Sequence, residues 1–241
     1  MIDLNDIHGI IFDYGGTIDS DGMHWAEVIW LQYEAEKVPV DKETFREAYV
    51  FAERTMGKNP LVKPEHDFLD MLRIKMHLQL QWLVDNGKLS EKRVTPELAE
   101  RLAQDNYQYA SRCIDAARPI LKELARKYPL VLVSNFYGNI ATVLKDFRLD
   151  GIFKEIIESA VVGIRKPDPA IFALGVEKLG MRAEETLVVG DSFDKDIVPS
   201  TSLGCHTIWL KGIGWKPYSG LETADVVITS FQQLKVVLSL D

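Results

Sequence analysis

The apolar positions of this chain fall into two rhythms. Ile7–Phe12, Leu130–Val133, Thr186–Val189, Thr207–Leu210 and Val226–Ile228 are short, branched and nearly continuous. Such runs predict strands of a parallel sheet buried on both faces. Between them, apolar residues recur at helical spacing over Ile120–Lys127, Asn139–Phe147, Ala170–Leu179 and Lys195–Leu203. Strands alternating with helices predict an α/β fold, a parallel sheet flanked by helices with right-handed crossovers.

Residues 20–110 keep only the helical rhythm. Met23–Glu36, Lys42–Thr55, Asp67–Asp85 and Pro96–Ala110 each carry an apolar stripe, punctuated by Pro39, Gly57, Pro60, Pro64 and Gly87. The expected organisation is an α/β core over 1–19 and 111–241, with an all-helical insertion over 20–110. Hinges are expected near Thr17–Gly22 and Ser111–Pro119.

The chain has 241 residues, 46% of them hydrophobic, enough to bury a core and a smaller inserted unit. Its net charge of −8 argues against nucleic acid as a generic partner. A local lysine or metal ion can still attract a small anion. Cys113 and Cys205 form neither a metal spacing nor a disulfide framework. No apolar run approaches the ~20 residues of a membrane span, so no membrane partner is expected. Met1 leads into Asp3, Asn5 and Asp6, unlike a secretory leader, and the expected compartment is the cytoplasm.

Candidate chemistry collects where the strand runs end. Asp13 follows Ile10-Ile11-Phe12 and opens Asp13-Tyr14-Gly15-Gly16-Thr17. Ser134-Asn135 follows Leu130–Val133, and Asp191 follows Thr186–Gly190, with Asp194 and Asp196 close behind. Ligands of an open α/β sheet bind beyond the carboxyl ends of its strands, so Asp13, Ser134 and Asp191 are expected to converge. A carboxylate there can serve as a nucleophile toward phosphorus or carbon. Lys166 sits in Arg165-Lys166-Pro167-Asp168-Pro169, a loop stiffened by two prolines, with Asp168 and Pro169 opening the next helix.

These four segments resemble the four motifs of the haloacid dehalogenase superfamily, and the helical insertion is similar to that superfamily's cap. The resemblance implies a Rossmann-like core and a cap that shields the chemistry from water. It implies Asp13 as nucleophile, Lys166 as the neutralising cation, and Thr17, Ser134 and Asn135 as phosphoryl-binding groups. It further implies Mg²⁺ held by Asp13, the Gly15 carbonyl and Asp191, with Asp196 as metal support or lysine partner.

One position departs from the phosphatase pattern. Most phosphatases of this superfamily carry a second aspartate, the general acid and base, where this chain has Gly15. Glycine keeps the carbonyl and loses the acid, a loss of typically 10²–10⁴-fold. The expected consequence is a bias toward aryl and acyl phosphates, whose leaving groups need no proton. Asp19, Asp21 and His24 follow the motif and are candidate replacements. The leading expectation is a Mg²⁺-dependent phosphatase acting on a small phosphorylated metabolite. The alternatives are C–P or C–halogen bond hydrolysis, or a non-catalytic binding protein. A Schiff-base lysine of the C–P cleaving kind would fall near Met56-Gly57, where Lys58 and Lys63 stand at unsuitable spacing.

Overall fold

The computed structural model describes residues 4–220 and 222–240. Met1, Ile2, Asp3, Leu221 and Asp241 lie outside the described residues. With them fall the leader reading of the first residues and the outer limits of the 1–19 and 111–241 segments.

Six strands form one parallel sheet: β1 Gly9–Phe12, β2 Leu130–Ser134, β3 Glu155–Glu158, β4 Thr186–Gly190, β5 His206–Leu210 and β6 Val226–Ile228, in the order β3-β2-β1-β4-β5-β6. Five match the apolar runs read from the sequence. The sixth, β3, reads Glu-Ile-Ile-Glu and is an edge strand with its first two residues exposed. Two apolar residues at an edge leave too short a signal to stand out.

Alternate residues of the strands point to opposite faces and enter different cores. Ile10 and Phe12 join Leu132, Val189 and Ile208 on one face. Ile11 joins Val131, Val133 and Val188 on the other, packed against Ile171 and Phe172 of the helix Ala170–Leu179. Burial on both sides is why these strands read as continuous apolar runs.

Four helices stand between β1 and β2: α1 Trp25–Ala35, α2 Lys42–Lys58, α3 Phe68–Asp85 and α4 Pro96–Lys127. Side-chain acceptors from His24, Asp41, Asp67 and Thr95 cap their amino ends. The segment Ser111–Pro119, where a hinge is expected, lies inside α4, one continuous helix of 32 residues. Ala110, Ile114, Ala117, Leu121 and Leu124 keep a buried stripe through that stretch. Pro119 is exposed on the other side of the helix, where its missing N–H meets solvent.

Candidate active site

The register of the sheet assembles the site. Phe12 pairs with Leu132 on one side and Val189 on the other, so β1, β2 and β4 end side by side. Asp13 N donates to the Val189 carbonyl at 2.9 Å, fixing the residue at the carboxyl edge of the sheet. The strand order reverses direction at β1/β4, the switch point where an open α/β sheet leaves a crevice.

Asp13, Asp191 and Asp196 are all buried, and their oxygens lie within 4.8 Å of one another. Lys166, 4% exposed, reaches between them. Its Nζ is 2.6 Å from Asp13 Oδ1 and 2.7 Å from Asp196 Oδ1, and lies 5.1 Å from the Phe172 ring centre. Burial opposes the ammonium charge, but Asp13 and Asp196 outweigh it and hold Lys166 above its ordinary pKa. Asp196 Oδ2 also accepts from Ser192 N at 3.0 Å, so this carboxylate serves as the lysine's anchor.

Thr17 ties the cluster together. Its hydroxyl lies 2.8 Å from Asp13 Oδ2 and 3.3 Å from Asp191 Oδ1, and accepts from Asp191 N at 3.0 Å. Gly16 is obligatory beside it. It sits at φ +102°, and a Cβ there would meet the Asp191 carboxyl at 2.4 Å. Asn135 was expected among the phosphoryl-binding groups. Both ends of its amide engage the Lys166 backbone, Oδ1 accepting from Lys166 N at 2.9 Å and Nδ2 donating to Lys166 O at 3.1 Å. Ser134 lines the same cavity.

Among the described residues, the ion pairs of this carboxylate cluster are with Lys166 alone. Burial, then the neighbouring Asp13 and Asp196, push the Asp191 carboxyl well above the usual range. Three carboxylates against one ammonium leave a buried negative excess. Oxygen donors at this spacing fit a hard divalent cation.

The helical insertion closes the other side. Trp25, Tyr49, Glu53, Phe68, Met71 and Lys75 wall a cavity of about 140 Å³ together with Asp13, Gly15, Ser134, Lys166 and Asp191. Glu53 and Lys75 were not anticipated. They pair at 2.7 Å, and Tyr137 O–H donates to Glu53 at 2.7 Å. The signal was present in α3, where Lys75 interrupts the buried stripe of Leu72, Met76, Leu80 and Leu83. Trp209, buried in β5, donates its Nε1 to the Asp191 carbonyl at 2.8 Å. Lys58 and Lys63 are exposed and do not line this cavity.

The pattern of the haloacid dehalogenase-like hydrolases matches residues 7–199, and the chain belongs to that family. The phosphoglycolate phosphatase of Photorhabdus laumondii is 25% identical over 240 residues, covering 98% of this chain and 94% of the relative. The glyceraldehyde 3-phosphate phosphatase of Methanocaldococcus jannaschii is 38% identical over 82 residues, 34% of this chain and 36% of the relative. Matches to three such archaeal phosphatases span 36%, 38% and 48% of their lengths. Among solved structures, a dehalogenase in an intermediate complex aligns with a TM-score of 0.67 at 18% identity, over 100% of both chains. A Bacillus subtilis HAD hydrolase bound to magnesium aligns at 0.59 and 20%, over 96% of this chain and 98% of that one. These likenesses show the fold.

Proposed function

We propose that this protein is a Mg²⁺-dependent phosphatase of small phosphorylated metabolites, working through an aspartyl-phosphate on Asp13. The carrying observation is the position of Lys166, pinned between Asp13 and Asp196 with Asp191 alongside. A nucleophilic carboxylate, a fixed cation and an acidic pocket are what phosphoryl transfer needs. Relatives named as phosphatases favour the same chemistry. The acidic Asp191 and Asp196 argue against metal-free dehalogenation, and the exposure of Lys58 and Lys63 argues against Schiff-base cleavage of a C–P bond.

Asp13, Asp191 and the Gly15 carbonyl would hold the metal, which supplies charge neutralisation at the phosphoryl oxygens. Lys166 pairs with Asp13 and orients it, while Thr17 and Ser134 offer hydroxyls to the phosphoryl group. Residues 20–110 act as a cap that excludes water. Cys113 and Cys205 are free thiols, which fits the cytoplasm, where we place the protein. Turnover of p-nitrophenyl phosphate with Mg²⁺ tests the reading. Asp13→Asn is expected to abolish it, and retained activity in that variant would overturn the assignment of the nucleophile.

A further inference from the structure

Gly15 removes a carboxyl group from its usual place, and the fold puts another beside that place. Thr17, Ile18 and Asp19 all direct their N–H groups at the Tyr14 carbonyl, at 3.2, 2.9 and 3.4 Å. This tight turn folds Asp19 back over the two glycines. Its Oδ1 accepts from Gly16 N at 2.7 Å and its Oδ2 from Trp25 Nε1 at 3.0 Å. A Cβ built on Gly15 would have Asp19 Oδ2 as its nearest neighbour, at 4.0 Å. Asp19 is 1% exposed and lines the same cavity as Asp13.

The other two candidates are occupied elsewhere. Asp21, at φ +52°, turns away and accepts from Phe231 N at 2.6 Å. His24 Nδ1 accepts from Ala26 N as the cap of α1, and burial lowers its pKa to about 4, so it is neutral and a poor proton donor.

We propose that Asp19 is the general acid and base of this phosphatase, in the place Gly15 leaves without a side chain. The assignment rests on the phosphatase reading above. In the first step an Asp13 oxygen bonds to phosphorus, the P–O bond to the leaving group breaks, and its electron pair stays on the ester oxygen. The Asp19 carboxyl proton passes to that oxygen, releasing an alcohol. In the second step the Asp19 carboxylate takes a proton from water as the water oxygen bonds to phosphorus. Inorganic phosphate leaves, and the Asp13 carboxylate and Asp19 acid are restored. Each Asp19 oxygen keeps a second lone pair for this proton while accepting its bond from Gly16 or Trp25.

The surroundings suit an acid. Asp13 and Asp191 face Asp19 from just beyond the ends of β1 and β4, Lys75 from α3, Trp25 from α1, and Tyr14 and Cys113 from the remaining sides. Burial raises the carboxyl to about 7, against the pull of the Gly16 and Trp25 hydrogen bonds. An acid poised there is matched to neutral pH.

Acetyl phosphate and ethyl phosphate test the assignment, because they are similar in size and differ in leaving-group basicity. In single-turnover experiments with Mg²⁺, Asp19→Asn is expected to slow ethyl phosphate by 10²–10⁴-fold. Phosphorylation by acetyl phosphate is expected to fall far less, and a phosphoryl adduct on Asp13 accumulates, visible by mass spectrometry, because water is no longer activated. The ratio of the two rates is independent of the folded fraction. Gly15→Asp in the Asp19→Asn background is expected to restore ethyl phosphate turnover by at least tenfold. Equal losses on both substrates, with no adduct, overturn the role of Asp19. No Asp13-dependent turnover of either substrate in the wild type overturns the phosphatase reading and this assignment with it.

Discussion

At the scale of single residues, two adjacent glycines have opposite reasons to exist. Gly15 has open space before it, ending at the Asp19 carboxyl, and takes an ordinary φ. Gly16 has none, because the Asp191 carboxyl lies where its Cβ would be and its φ is positive. Gly16→Ala is therefore expected to displace Asp191. It costs about 1–2 kcal/mol for the left-handed backbone alone, and weakens Mg²⁺ binding severalfold, read by urea denaturation and calorimetry. Wild-type affinity in that variant would show that Asp191 does not hold the ion. Asp13-Tyr14-Gly15-Gly16-Thr17 was legible as a site because it follows an apolar strand. The contrast between its glycines was not, since it depends on side chains that arrive from Asp19 and from the far end of β4. The substrate bias expected from Gly15 changes with it. With Asp19 as the acid, the wild type is expected to handle alkyl phosphates within the range of ordinary phosphatases of this family.

At the scale of elements, helical periodicity located all four inserted helices, and their caps follow from Asp41, Asp67 and Thr95 in ordinary positions. Pro119 stands inside α4, although a proline usually ends a helix. The buried stripe from Ala110 to Leu124 overrides that preference where the lost hydrogen bond faces solvent. Helix α1 carries a pH dependence through its cap. His24 binds no proton in the folded protein until about pH 4, whereas the unfolded chain takes one near 6.5. Its contribution is complete above pH 6.5 and is lost as pH falls through 4. The shift corresponds to at most ~3 kcal/mol. His24→Asn keeps a capping acceptor without the titration. Melting temperatures between pH 7 and 4.5 are expected to fall more steeply for wild type than for His24→Asn. Parallel curves would show that the imidazole carries no such linkage.

At the scale of the whole molecule, three buried carboxylates and one lysine at the sheet edge form a charge imbalance that a divalent cation would relieve. Ligand binding to the folded state alone stabilises by about 2.7 kcal/mol at a hundred times Kd. For a chain of this size that corresponds to a melting temperature raised by roughly 5–10 °C. Mg²⁺ is expected to produce this rise in the wild type and little of it in Asp191→Ala, measured by calorimetric scans. A rise of the same size in both would place the ion elsewhere. The helical insertion is expected to melt together with the core in these scans, since its apolar residues and one face of the sheet form a single continuous cluster.

The local pattern of this chain determined the parallel sheet, the inserted helices and the strand-end placement of Asp13, Ser134 and Asp191, because periodicity and strand termini are local properties. Lys166 was singled out by the resemblance of its Lys-Pro-Asp-Pro segment to the superfamily, not by its local pattern. Only the tertiary structure decided which groups meet. Glu53 and Lys75 reach the cavity because α2 and α3 pack across the sheet edge, a matter of helix placement that no single stretch encodes. The role of Asp19 depends on a turn that brings its carboxyl within 4.0 Å of the position a Gly15 Cβ would take. A proton donor is defined by where its oxygen stands, and that position is set by folding.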